Sequence, residues 1–148
     1  MFWRALLAFI LLPGMVAFLG PVLLLTSTGH LVVVYAGGLI VLVLGIGLLL
    51  LCVRDFYVAG KGTLAPWEPP KHLVVTGVYR YSRNPMYCAV ALILAGWTIT
   101  FASNELLIYT LVVIGVVYMR VVYGEEPRLA RSFGGEWDQY KQQVRRWV

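Results

Sequence analysis

The chain has 148 residues, 60% hydrophobic and 13% charged, with a mean hydropathy of +0.80 and a formal net charge of +5. A soluble domain of this length cannot bury so much apolar surface, so composition excludes an ordinary globular protein and predicts a polytopic all-α membrane protein of one domain. The positive charge falls where membrane topology requires it, and nucleic-acid binding is not needed to explain it.

A hydrocarbon core about 30 Å thick takes roughly 20 apolar residues per helix, and four runs approach that length. The first is Ala5 to Leu25, preceded by Arg4. It is read as a span and not as a secretory signal, because the apolar stretch is too long. Pro13 and Pro21 with Gly14 and Gly20 predict bends in it. The second run, Leu31 to Val53, carries Gly37, Gly38, Gly45 and Gly47, a small-residue surface suited to close helix contact. The third, Met86 to Phe101, and the fourth, Leu106 to Tyr123, are shorter and flanked by tyrosines and tryptophans that suit an interface.

Lys and Arg are retained on the cytoplasmic side during insertion. Arg54, Lys61, Lys71, Arg80 and Arg83 lie between the second and third runs, and Arg120, Arg128, Arg131, Lys141, Arg145 and Arg146 at or beyond the end of the fourth. The turns Thr26 to His30 and Ala102 to Glu105 have none. Both termini, the loop 54–85 and the tail 124–148 are therefore expected on the cytoplasmic face. Cys52 and Cys88 fall near the same ends of their spans and are expected to be reduced packing residues.

Polar chemistry concentrates in the loop and the tail. The stretch Gly60 to Pro70, with Gly62, Pro66, Pro69 and Pro70, is irregular by its turn formers. The tail predicts two helical pieces parted by Gly134 and Gly135. In the second piece Trp137, Tyr140, Val144 and Trp147 recur at helical spacing opposite Lys141, Gln142, Arg145 and Arg146, a pattern suited to a helix in the headgroup plane.

Two clusters stand out. In Thr76-Gly77-Val78-Tyr79-Arg80-Tyr81-Ser82-Arg83-Asn84-Pro85-Met86-Tyr87, Asn84 is an expected N-cap and Pro85 an expected first helical residue, with Tyr87 one turn in. Such a helix start beside Arg80 and Arg83 suits a carboxylate or phosphate, although capping and anchoring alone account for the local chemistry. The second cluster is Glu125-Glu126-Pro127 among Arg120, Arg128 and Arg131, where the glutamates either start the tail helix or face a positive ligand group.

Taken together, Gly77-Val78-Tyr79-Arg80, Arg83-Asn84-Pro85-Met86-Tyr87, Glu125-Glu126, Leu129, Phe133-Gly134, Trp137, Tyr140 and Arg146-Trp147 resemble the isoprenylcysteine carboxyl methyltransferase and phospholipid methyltransferase superfamily. The family often has His at the position of Asn84. The resemblance covers roughly Gly60 to Val148. It implies an integral membrane methyltransferase that takes S-adenosyl-L-methionine and releases S-adenosyl-L-homocysteine. It maps the cofactor site onto Arg83, Asn84, Pro85, Tyr87, Glu125 and Glu126, to which Gly77, Tyr79 and Tyr140 are added as candidates, with Glu126, Arg83 and Tyr87 as the catalytic candidates. The cofactor's ammonium is expected at Glu125 or Glu126, its carboxylate at Arg83 and the helix start at Asn84, and its walls at Tyr79, Tyr87 and Tyr140.

The implied acceptor is lipophilic: an isoprenylcysteine-type carboxylate, a phospholipid amine or an apolar thiol. No metal is expected, since His30 and His72 stand apart and no His and Cys cluster has ligand spacing. Two alternatives come from other classes. A small membrane transporter would normally carry an ionisable residue inside a span, and none lies mid-span here. A nicotinamide-dependent membrane reductase of related fold would lack its Gly-rich dinucleotide fingerprint.

Overall fold

A computed structural model of the chain describes residues 10–29, 31–60 and 72–148. Arg4, His30 and the loop residues Lys61, Gly62, Pro66, Pro69, Pro70 and Lys71 lie outside the described residues. Among those described, every regular element is helical.

Helix α1 begins as wide π-type turns over Ile10–Leu19, with Pro13 inside, and continues as an α-helix over Gly20–Thr28. A proline removes a backbone donor and crowds the preceding turn, which is what widened turns accommodate. Gly29 ends the helix in the left-handed conformation, with φ of 72°. Residues 31–35, expected inside the second span, instead lie outside any regular helix, and the N–H groups of Val34 and Tyr35 both donate to Thr100 O at 2.8 and 3.2 Å. The second helix, α2, is Gly37–Gly60, and α3 is Pro85–Phe101.

Helices α2 and α3 pack along their lengths because glycines let the backbones approach. A Cβ on Gly45 would stand 2.8 Å from Ile93 N, and one on Gly96 would stand 2.6 Å from Leu42 N. Gly38 meets Thr100 in the same way, whereas Gly37 and Gly47 face open space. The small-residue surface read from the sequence is therefore half right, and its complement on α3, Gly96, was not anticipated.

A tight hairpin leads to α4, Asn104–Arg120. Ala102 takes the left-handed conformation with φ of 48°, and Ser103 Oγ accepts the Leu106 N–H at 3.3 Å, an N-cap of the ordinary kind. The bundle core holds Ala17, Leu49, Ala89, Val90, Ile93 and Leu94. Helix α1 is tied to it by Trp97 Nε1 donating to Ala17 O at 3.0 Å and Tyr109 Oη donating to Val16 O at 2.9 Å.

Where the sequence placed the end of the fourth span, the helix does not stop. It passes through a π-type turn, Val121–Glu125, into α5, Glu126–Phe133, and after Gly134 into α6, Gly135–Gln143. Pro127 lacks the N–H that a regular ladder would use, and the widened turn just before it absorbs the mismatch. Among the described residues, two helical stretches are long and apolar enough to cross a membrane: Gly37–Ala59 with 23 residues and Asn104–Phe133 with 30. The other two expected spans correspond to shorter apolar helices, Pro13–Thr28 and Pro85–Phe101.

Candidate functional site

The segment before α3 is built on a turn that only glycine fits. Gly77 has φ of 60°, and a Cβ there would collide with the Asp55 carboxylate, whose Oδ2 accepts the Val78 N–H at 2.9 Å. This contact ties the Gly77–Arg80 turn to the end of α2. Asp55 carries no motif signal in the sequence, lying just past the expected end of the second span at Val53.

From this turn the chain reaches α3. Asn84 occupies the cap position and Pro85 the first turn, as expected, but the Asn84 side chain caps nothing. Its Nδ2 donates instead to Arg146 O at 3.0 Å. The reason is the C-terminal segment: after α6 the chain turns extended at Val144 and runs back across the start of α3. Arg83 N–H donates to Arg145 O at 2.9 Å, and Ser82 Oγ reaches Arg146 O at 3.4 Å. An asparagine donates here, a role that does not need a titrating imidazole.

The tail also corrects the expected lipid-facing helix. Helix α6 ends at Gln143, so Val144 and Trp147 leave its face, and Trp137 and Tyr140 are buried. Tyr140 Oη donates to Tyr79 O at 2.7 Å, and the Arg83 guanidinium lies 5.4 Å from the Trp137 ring centroid. The aromatic stripe turns inward because Arg83 and the backbone of the Gly77–Arg80 turn offer it polar and cationic partners that lipid lacks. Burial pushes the Tyr140 hydroxyl up to about 12, with Arg83 opposing, and burial also raises Tyr79 well above the ordinary tyrosine range. Both hydroxyls stay protonated at neutral pH, which keeps Tyr140 Oη a donor to Tyr79 O.

The twin glutamates meet this assembly from the other side. Glu126 lies 3.1 Å from Arg83 Nη1 and accepts from Arg146 Nε at 2.9 Å and Nη2 at 2.8 Å. The paired carboxylate in turn raises the Arg146 guanidinium. Glu125 Oε1 accepts from Tyr87 Oη and from Arg120 Nε, the latter at 3.0 Å. Two adjacent glutamates reach two residues one turn apart on and before α3, Arg83 and Tyr87. All the site residues read from the sequence thus gather at one end of the bundle: Gly77, Tyr79, Arg83, Asn84, Pro85, Tyr87, Glu125, Glu126 and Tyr140.

Arg83 stands apart among them. Its side chain is 8% exposed, and its Nε and Nη1 make no aligned hydrogen bond among the described residues; the 3.1 Å approach to Glu126 is a charge contact without hydrogen-bond geometry. Arg80, grouped with it in the sequence reading, is exposed. Oε2 of Glu125 likewise takes no partner among the described residues, while both oxygens of Glu126 are engaged. A buried cationic donor and a free carboxylate oxygen therefore flank the start of α3.

The profile of the Phospholipid methyltransferase (PEMT) family matches residues 33–136. The chain belongs to this family. The match spans α2 to the start of α6 and so covers both polar clusters, and it favours neither the transporter nor the reductase alternative. An uncharacterized protein of Haemophilus influenzae is 35% identical over 63 residues, 43% of this chain and 100% of that protein. No solved structure matches the chain. Membership of a methyltransferase family implies a donor of S-adenosylmethionine type.

Proposed function

We propose that the protein is an integral membrane methyltransferase that uses S-adenosyl-L-methionine to methylate a lipophilic acceptor at the cytoplasmic face. The observation that carries this reading is Arg83, buried with unsatisfied donors beside the start of α3 and facing the Glu125–Glu126 pair. A buried donor without a hydrogen bond costs about 1–3 kcal/mol even where, as here, the charge itself is paired, so a site that keeps such donors suits a ligand that satisfies them.

The cofactor's chemistry fits these groups. Arg83 and the N-terminal end of α3, where the Asn84 side chain makes no cap hydrogen bond, would hold its carboxylate. Glu125, through Oε2, would hold its ammonium. Tyr87 orients Glu125 by the hydrogen bond between them, and Tyr79 and Tyr140, locked together through Tyr79 O, back the site with aromatic surface. When bound, S-adenosyl-L-methionine supplies the activated methyl group for direct displacement. The protein's contribution is then to fix the reacting geometry and keep water out, which the buried aromatic and aliphatic surroundings do. Glu126, clamped by Arg83 and Arg146, holds the tail against α3 and sets the position of Arg83.

We read the chain as crossing the bilayer four times with both termini inside. Helix α3, about 25 Å long at 1.5 Å per residue, lies along α2 and so occupies the same depth. The Arg and Lys residues of the site end support its cytoplasmic placement.

The test is transfer of label from radioactive S-adenosyl-L-methionine into organic-extractable acceptors by the protein in nanodiscs, with NADPH titrated in parallel. Label in the lipid phase and no NADPH binding is the expected result. NADPH binding without label transfer would instead establish the reductase.

A further inference from the structure

Between α3 and α4 lies a slot of about 270 Å³ lined by Tyr87, Cys88, Leu94, Val113, Val117 and Trp147. Its walls are almost wholly carbon, and Ile114 and Tyr118 on its rim are exposed. Tyr87 to Leu94 spans two turns of α3, so the slot is about 10 Å deep. An apolar cavity of about 150 Å³ holds one benzene ring, so this space takes one alkyl chain or a small ring system and has no room for two acyl chains.

We infer that the slot receives a single apolar chain of the methyl acceptor and that Trp147 is the residue restricting it to one. This rests on the methyltransferase reading above, because Tyr87 belongs to both places: it walls the slot and donates to Glu125. A molecule filling the slot therefore has its polar end at the carboxylate cluster and its chain among aliphatic side chains, which describes a single-chain amphiphile.

Trp147 roofs the end of the slot nearest that cluster. Its ring stacks on Tyr118 with centroids 6.2 Å apart and planes 25° from parallel. Its position is imposed by the backbone on either side of it. Arg145 O and Arg146 O are held by Arg83 and Asn84, the Arg146 guanidinium by Glu126, and Trp147 O lies 3.9 Å from Cys88 Sγ. Removing the ring widens the slot where a branched or two-chain molecule would have to enter and leaves these anchors in place.

The experiment is photolabelling in nanodiscs with a single-chain alkyl-diazirine alcohol and, separately, a two-chain diazirine phosphatidylcholine, mapped by peptide mass spectrometry. In the wild type the single-chain probe is expected on peptides carrying Val90 to Leu94 and Val113 to Tyr118 at several times its level on the exposed α2 residues Val43 and Leu44. The two-chain probe is expected to favour α2. In Trp147→Ala the two-chain probe should reach the slot, and Trp147→Phe should behave as wild type. Ala91 also lines the slot, so Ala91→Phe, which fills it from within, should remove single-chain labelling while the protein stays monodisperse. Equal labelling of slot and α2 by the single-chain probe, or slot labelling by the two-chain probe in the wild type, would overturn the inference. The readout needs no turnover: slot labelling without methyl transfer would count against the enzymatic reading and leave the single-chain slot standing.

Discussion

Glu126 receives two guanidinium groups, from Arg83 and Arg146, whereas Glu125 receives one guanidinium and one phenol and keeps an oxygen free. The two carboxylates should therefore answer mutation differently. Glu126→Gln leaves Arg83 without its countercharge; breaking such a pair costs about 3–5 kcal/mol when buried, and the low end applies because Arg146 is partly exposed. A lower unfolding midpoint in denaturant is expected, and an unchanged one would remove Glu126 as the strut. Glu125→Gln should keep the midpoint and weaken S-adenosyl-L-homocysteine binding about tenfold, the loss of one charge-assisted hydrogen bond. Calorimetry checks this, and equal affinity would take Glu125 out of the site. The sequence reading identified both glutamates but could not divide their roles, because partners 20 and 38 residues away in the chain are settled only by folding.

At the scale of elements, the packing of α2 on α3 depends on Gly45 and Gly96. Gly96→Ala forces a methyl against the Leu42 backbone and should cost about 1–3 kcal/mol, with a lowered thermal midpoint as the readout. Gly47→Ala faces open space and is the matched control that should change nothing. The tail supplies a pH prediction. Tyr140 titrates at about 12 in the folded chain and near the ordinary tyrosine value of about 10 in the unfolded one. Between those values the folded state keeps a proton that the unfolded state has lost. The contribution is complete below pH about 10 and disappears as pH rises through about 12. Alkaline unfolding should therefore be steeper in the wild type than in Tyr140→Phe over that window, and parallel curves would show that the buried hydroxyl is not coupled to folding.

These elements also show what hydropathy and spacing could convey. The apolar runs, the Pro85 start of α3 and the break at Gly134 were legible because each depends on local chemistry. The inward turn of Trp137 and Tyr140 was not, since helical periodicity gives a stripe without naming what it meets. The course of residues 144–148 after the extended Val144, which takes the Asn84 side chain away from capping, has no local signature at all.

On the proposed topology of the whole molecule, the end of the bundle that holds residues 76–84 and the tail lies at the inner leaflet, and the C-terminal end of α1 and the hairpin 102–105 lie outside. In a background lacking Cys52 and Cys88, Gln142→Cys should react with an impermeant maleimide only in inverted vesicles, and Ser27→Cys only in right-side-out ones. Reaction of both from the same side would break the four-span topology. The central claim is that the start of α3 and the twin glutamates form one cofactor site, and calorimetric titration of S-adenosyl-L-homocysteine into the wild type and Arg83→Ala in nanodiscs tests it most directly. The account predicts saturable binding to the wild type and affinity lower by about tenfold or more in the variant, a loss of about 1.4 kcal/mol or more, with helicity retained. Equal affinity in the two, or no binding to the wild type, would contradict it.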